Sequence, residues 1–306
     1  QSTLNFSTNR KTIITIGTFA GVHSGHQSIL KKVVEAKENN TYEASLLTFF
    51  LHSRMVLQQD TSIKLLNTID EKAELLDKFG IDNLIIHPFD AAFSNLSAEE
   101  FVKEILIDRL NIHKIIIGHD HRFGKNRTAD ISDLILFGKK YGFEVEQINA
   151  HEIDEIAISS TKIRKALMEG NIKLANQFLG YSYFISGKVI EGKKIGRTLG
   201  FPTANIQINE SYKLLPKNGV YIVSSEINDI LYFGMMNIGN NPTLGENEQS
   251  IEVHYFDMSE NIYNKKLKIS ILEHIRDERK FNSLSDLQAQ LEKDKLFSLN
   301  YIQNLK

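Results

Sequence analysis

The chain changes its repeat near residue 180, and that change limits the folds open to it more than any single residue does. Before it, β-branched runs recur at 12–19, 43–50, 83–89, 114–120 and 144–150, separated by stretches with apolar residues at i, i+3 and i+4. The clearest helix is SAEEFVKEILIDRL (97–110), where Ser97 and Glu100 make a capping box ahead of Phe101, Ile105 and Leu106. Two more helical stretches follow, near 161–169 and 172–179. This alternation predicts βαβ units and an α/β Rossmann-type parallel sheet with helices on both faces. After Gly180 six strand-like runs follow one another (183–190, 203–208, 219–227, 230–238, 251–256, 267–274), with Gly, Asn and Pro in the turns. They predict a small six-stranded antiparallel β-barrel, and a helical pattern from Leu284 to about Leu299 adds a C-terminal helix. The expected domains are 1–182 and 183–306.

Composition narrows the chemistry. The 306 residues are 42% apolar and 24% charged with a net charge of −2, so cores of ordinary size are expected and the basic excess of a nucleic-acid-binding chain is missing. With no cysteine, disulfides, thiolate metal sites and cysteine nucleophiles are excluded. No apolar run approaches the roughly 18 residues of a membrane helix, and the first residues lack a signal-peptide core. The expectation is a cytoplasmic protein without nucleic-acid or membrane partners, a monomer or a weak homo-oligomer.

GTFAGVHSGHQ, residues 17–27, sits between the first strand and an amphipathic helix. A glycine-rich turn feeding a helix N-terminus presents backbone N–H groups and a favourable dipole to an anion. His23 and His26 add two donors on one side of it, a set suited to charge developing on an attacked phosphoryl group. A solvated turn is the plain alternative. A metal site ranks lower, because no carboxylate or third histidine lies nearby in sequence. The segment matches neither the P-loop nor G-x-G-x-x-G. In the second half, Gly192, Gly196 and Gly200 allow close backbone approach beside Lys193, Lys194 and Arg197. Thr203 and Asn205 then project to one face of a strand and can ligate Mg²⁺ between ATP phosphates, unless the stretch is only a flexible hairpin.

These motifs, in this order, resemble the prokaryotic bifunctional riboflavin kinase/FMN adenylyltransferase (FAD synthetase) family over roughly residues 12–295. GTFAGVHSGHQ is similar to its GxFDGVHxGHQ signature, ISSTKIR (158–164) to its ISSTxIR segment, and GHDHRFGKNR (118–127) to its GxDFxFGxxR loop. GKKIGRTLGFPTAN (192–205) resembles the riboflavin kinase signature. The resemblance implies riboflavin, FMN and ATP as substrates and Mg²⁺ accompanying ATP. For adenylyl transfer it implies His23, His26 and Arg164 as catalytic residues. Gly17, Phe19, Gly25, Asp120, Ser159, Ser160 and Thr161 would bind ATP, and Arg122, Phe123 and Arg127 would shape the flavin side, Lys125 with them. For the kinase it implies Glu252 as general base and Gly192, Lys193, Gly196, Thr203 and Asn205 on ATP and its metal. Asn240, Arg276, Asp277 and Glu278 would border the flavin.

Three departures sit in the first half. Ala20 stands where the family has aspartate, Leu51 and Ser53 replace prolines, and His121 replaces an aromatic phenylalanine. Lost prolines free a turn that would otherwise be pre-set. The expectation is a bifunctional enzyme whose adenylyl transfer is retained but slow. The alternative is a riboflavin kinase with an impaired or binding-only N-terminal module.

Overall fold

The computed structural model describes residues 1–38, 41–50, 64–118, 121–148, 158–192, 195–240 and 249–305. Chain contacts divide it into two compact units, Gln1–Ile158 and Ser159–Lys306.

The first unit is a five-stranded parallel sheet: β1 Thr12–Ile16, β2 Glu43–Phe50, β3 Asn83–Pro88, β4 Ile112–Gly118 and β5 Glu144–Ile148, in the order β3-β2-β1-β4-β5. Every residue of β1 is buried, as a central strand covered on both faces requires. Growth of the sheet reverses between β1 and β4: β2 and β3 extend one side, β4 and β5 the other. Open α/β sheets bind ligands at such a switch point, beyond the strands' carboxyl ends. Helix α1, Ser24–Glu35, follows β1 directly, and α2, Ile69–Lys78, opens on a capping box of Thr68 and Glu71. Leu47, Ile85, Leu106, Ile115 and Ile117 lie in the core beneath the helices.

The helix expected at 97–110 carries its capping box as read, with Ser97 and Glu100 reciprocally bonded. Its body is wound differently. One α-turn, Ala98–Glu100, runs into a π-helix, Phe101–Ile107, with Asp108 N donating to Lys103 O and Leu110 N to Ile105 O, both at 3.0 Å. The apolar pairs Phe101/Val102 and Ile105/Leu106 are all buried. Pairs spaced in this way suit either winding, so the pattern could not tell them apart.

In the second unit, α3 (Ser160–Met168) and α4 (Ile172–Leu179) pack with the barrel. Asn176 fixes them there: its Nδ2 donates to Ile271 O at 2.9 Å and its Oδ1 accepts from Tyr183 N at 2.7 Å. Lys217 N also donates to Leu167 O at 3.0 Å. The compact units therefore meet at 158/159, whereas the sequence pattern changes near 182. The six strands are β6 Phe184–Ile190, β7 Ala204–Gln207, β8 Gly219–Ile227, β9 Ile230–Asn240, β10 Gln249–Tyr255 and β11 Lys266–Asp277. They pair antiparallel and close in the order β10-β7-β6-β11-β8-β9, which leaves no sheet edge open. Helix α5, Leu284–Gln303, sets Ile302 against a cluster that includes Leu199, Phe201, Ile222 and Phe256. Among the described residues no helix is long and apolar enough to cross a membrane.

Candidate active sites

The turn from β1 into α1 holds its shape at the expense of backbone ease. Phe19 (φ 42°) and Val22 (φ 40°) both occupy the left-handed region, which bulky and β-branched residues rarely enter. Each such residue carries roughly 1–3 kcal/mol of strain that the surroundings must offset. Here the offset is burial: Phe19 is 3% exposed and Val22 fully buried. Gly17 matters because a Cβ there would lie 3.1 Å from the Phe19 ring. Helix α1 then starts at His23 with no side-chain cap, so its first turn faces outward without a built-in acceptor from that residue.

His23 and His26 are brought together. Their rings stack at 3.6 Å between centroids, and His26 stacks on Phe19 at 4.6 Å. Neither Nδ1 has a hydrogen-bond partner among the described residues, and both atoms are sealed from solvent. Burial pushes the His23 imidazole down to about 4. Burial also holds His26 well below its usual range, with the charges of His23 and Lys72 acting in the same direction. At neutral pH the turn carries two neutral imidazoles at the start of α1. Ala20 lies in the 3₁₀ turn Ala20–Val22, half-buried.

The loop after β4 starts at the other side of the switch point. Arg122, Lys125 and Arg127 are exposed on it. Phe123 is 7% exposed and belongs to the core cluster, its N–H and C=O both bonded to Ala129. Its evident contribution is to anchor the loop. The ring of His121 stacks toward Phe123 at 6.2 Å and 20°, so the substitution of an imidazole keeps a ring in that place. Gly25 falls in the first turn of α1. Asp120, Lys193, Leu51 and Ser53 lie outside the described residues. In the second unit Ser159 is the N-cap of α3, accepting from Lys162 N at 3.3 Å. Ser160 and Thr161 occupy its first turn, and Arg164 is half-buried, its charged form disfavoured by burial.

On the barrel, register assembles a second group. Glu252 of β10 lies opposite Asn205 of β7 and Asn237 of β9. Residues directly opposite share a face, so the three side chains stand on one surface, outside the buried Ile251, Val253 and Tyr255. Thr203 Oγ1 donates to Glu252 Oε2 at 3.0 Å. Gly192 and Gly196 are required sterically: a Cβ at the first would collide with the Asn205 amide, at the second with Phe201 O. A cavity of about 450 Å³ opens beside Thr203, lined also by Arg197, Pro202, Tyr255 and Tyr263. The oxygens of Thr203, Asn205 and Glu252 form a hard-donor set of the kind Mg²⁺ selects.

The same face continues through Asn237 to Gly239, where the Glu278 carboxylate packs against the glycine. Asn218 Nδ2 donates to Asn240 Oδ1 at 3.1 Å and to Glu278 Oε2 at 3.4 Å, and Gln249 Nε2 donates to Asn218 Oδ1 at 2.6 Å. Asp277 pairs with Lys217 at 2.7 Å. Arg276 is held differently from a free flavin contact: its Nε and Nη2 fork onto the buried Asp294 of α5 at 2.8–3.1 Å. Motif reading passed over Lys217, Asn218 and Asp294. The signal for Asp294 was present, since it follows Leu287 and Leu291 at helical spacing and so falls on the packed face of α5.

Comparison with known proteins assigns a family to each half of the chain. The FAD synthetase family model matches residues 5–162 and the riboflavin kinase model residues 179–302. A bifunctional riboflavin kinase/FMN adenylyltransferase of Bacillus subtilis is 37% identical over 302 residues, covering 97% of this chain and 94% of the relative. One from Buchnera aphidicola subsp. Schizaphis graminum is 40% identical over 290 residues, covering 94% and 92%. A solved structure described as a macrolide-efflux protein from Streptococcus pneumoniae superposes with a TM-score of 0.86 at 30% identity over 97% of both chains. A strained two-histidine turn on a parallel sheet and a Thr–Glu pair on a closed barrel thus occur in one chain whose two halves match the two family models in order. The chain belongs to the bifunctional riboflavin kinase/FMN adenylyltransferase family.

Proposed function

We propose that the protein makes FAD in two ATP-dependent steps, phosphorylating riboflavin to FMN on the barrel and transferring AMP to FMN, with release of pyrophosphate, at the turn after β1. The functional division we assign, 1–182 and 183–306, follows the two chemistries rather than the packing of α3 and α4.

In the kinase step the ribityl hydroxyl attacks the γ-phosphorus of ATP, and Glu252 takes its proton. The hydrogen bond from Thr203 supports this reading, because it fixes the direction of the carboxylate. Thr203 and Asn205 would hold Mg²⁺, which neutralises phosphate charge when bound. Gly192 and Gly196 approach the phosphates, to which Lys193 is assigned on the resemblance, while Asn240, Asp277 and Glu278 border the flavin and Arg276 braces that border through Asp294.

In the adenylyl step the FMN phosphate attacks the α-phosphorus of ATP in line, without a covalent intermediate. His23 and His26 donate to the charge that grows there, with the open start of α1 beneath it. Gly17, Phe19 and Gly25 shape the cradle. Arg164, with Ser159, Ser160 and Thr161, is assigned to the same step on the resemblance of ISSTKIR, as is Asp120. Arg122 and Arg127 face the flavin phosphate, and Phe123 anchors their loop.

The observation that carries the reading is the Thr203–Glu252 pair set opposite Asn205, together with the neutral, stacked histidines of the other half. The test is product analysis by chromatography after riboflavin, ATP and Mg²⁺ are mixed with the protein. FMN followed by FAD is expected. FMN alone would leave a kinase with a binding-only first half, and neither product would overturn the reading.

A further inference from the structure

Lys72 plays no part in the assignments above, yet among the described residues it is the one lysine of the first unit that is 8% exposed or less. It lies on α2, one turn before Leu75 and Leu76, and that spacing turns it to the buried face. Its Nζ donates to the carbonyl of Thr18 at 2.7 Å and reaches Thr48 Oγ1 of β2 at 3.5 Å. No carboxylate among the described residues pairs with it. Buried charges are ordinarily paired, so a buried ammonium resting on a carbonyl is an exception with a reason to be sought.

Its location supplies the reason. Thr18 immediately precedes Phe19, the first left-handed residue of the strained turn. The charge is also near enough to act on His26. We propose that Lys72 is a positioning residue for adenylyl transfer: it pins the Thr18 carbonyl so that the turn keeps its left-handed path, and it sets a fixed positive charge close to His26, adding charge to a turn whose own two imidazoles are neutral. The inference rests on the adenylyl-transfer reading given above.

The surroundings give this role a pH signature. Burial lowers the Lys72 ammonium to about 8. The titratable group shown to feel its charge is His26 of α1, neutral above pH 7; Asp70 and Glu71 are its neighbours on α2, and among the described residues neither β2 at Thr48 nor the turn presents a charge to it. In the free enzyme, deprotonation through about pH 8 removes the charge and weakens the grip on Thr18. The quantity kcat/KM reports groups of the free enzyme, so it is the quantity that follows this titration.

The test uses the full chain and measures kcat and KM for ATP in FAD formation from FMN, between about pH 6.5 and 9.5. In the wild type, kcat/KM is expected to fall about tenfold per pH unit above an apparent pKa near 8. Lys72→Arg keeps its charge throughout that range, so a rate within a few-fold of wild type at pH 7 and no alkaline fall are expected. Lys72→Met is expected to lose about tenfold or more at pH 7 and to show a flat profile. A lysine that merely fills space would leave the alkaline limb in place in both variants, and that outcome overturns the proposal. So does a wild-type profile that stays flat to pH 9.5. If Lys72→Met does not fold, the wild type and Lys72→Arg still decide. A wild type that makes FMN but no FAD removes the adenylyl reading and this proposal with it, whereas FAD formation indifferent to Lys72 removes the proposal alone.

Discussion

The two halves handle phosphate with opposite physical means. The turn after β1 relies on backbone conformation and desolvation: Phe19 and Val22 are held at positive φ, and its histidines are neutral because they are buried. The barrel relies on register. Glu252, Asn205 and Asn237 meet because three antiparallel strands align them, and Thr203 needs one hydrogen bond to complete the group. A site built on strain depends on everything packed around it, down to a lysine on another helix. A site built on register depends mainly on the strands that carry it. Perturbations should therefore spread widely in the first half and stay local in the second.

The largest effect expected is local. Glu252→Ala should lower kcat for FMN formation by about 10²–10⁴-fold, the span of a general base, with riboflavin affinity and FMN-to-FAD conversion retained. Separate assays of the two steps check it, and unchanged FMN turnover would remove the general-base role. Next comes His26→Ala, which takes away one of the two donors proposed for the developing phosphoryl charge and one side of the stack. FAD formation should fall by about 10²–10³-fold while FMN formation continues. A kinase rate that fell in parallel would break the comparison, since the two sites would not be independent.

A third expectation concerns stability. His23 titrates near 6.5 in the unfolded chain and near 4 when folded. The unfolded chain therefore takes up the proton first as pH falls. The stabilising contribution is complete above pH 6.5 and is lost as pH drops toward 4, by about 3 kcal/mol from this residue alone. Denaturant titrations at pH 7, 5 and 4 should show the first unit losing stability steeply, and His23→Gln should flatten its slope. An equal slope in that variant would locate the proton uptake elsewhere.

The sequence was a good guide to whatever rests on spacing and a poor one to whatever rests on packing between distant segments. Alternating runs located all five parallel strands and all six barrel strands to within a few residues, because burial on one or both faces writes itself into short-range pattern. The histidine turn and the pair Thr203 and Asn205 were legible as local motifs, whereas Glu252, 49 positions after Thr203, was singled out by the family resemblance alone. Lys72 was not legible, because the role proposed for it comes from touching a carbonyl 54 positions earlier, and a lysine within IDEKAELL looks like a solvated helix residue unless its place before Leu75 and Leu76 is weighed. Nor does the loop motif around Phe123 reveal that this ring sits in a core made by residues far along the chain. The helices α3 and α4 continue the alternating pattern but bury Ile163, Leu167, Ala175 and Leu179 with the barrel unit, which local periodicity cannot reveal.

The smallest expected effect probes Ala20, where the family's aspartate is missing. The residue sits between Phe19 and Gly21, both at positive φ, in a turn already held by buried Phe19 and by Lys72 on the neighbouring carbonyl. A carboxylate introduced there adds at most one loop-ordering hydrogen bond or one charge near the metal. One such bond is worth about 1 kcal/mol, which corresponds to about fivefold in rate. Ala20→Asp should accordingly raise FAD formation by no more than about fivefold and leave FMN formation unchanged. A gain of about a hundredfold or more would mean that the native turn binds nucleotide without turning it over. In that case the contrast between the halves would be one between a working site and a dormant one, and the strain at Phe19 and Val22 would serve binding alone.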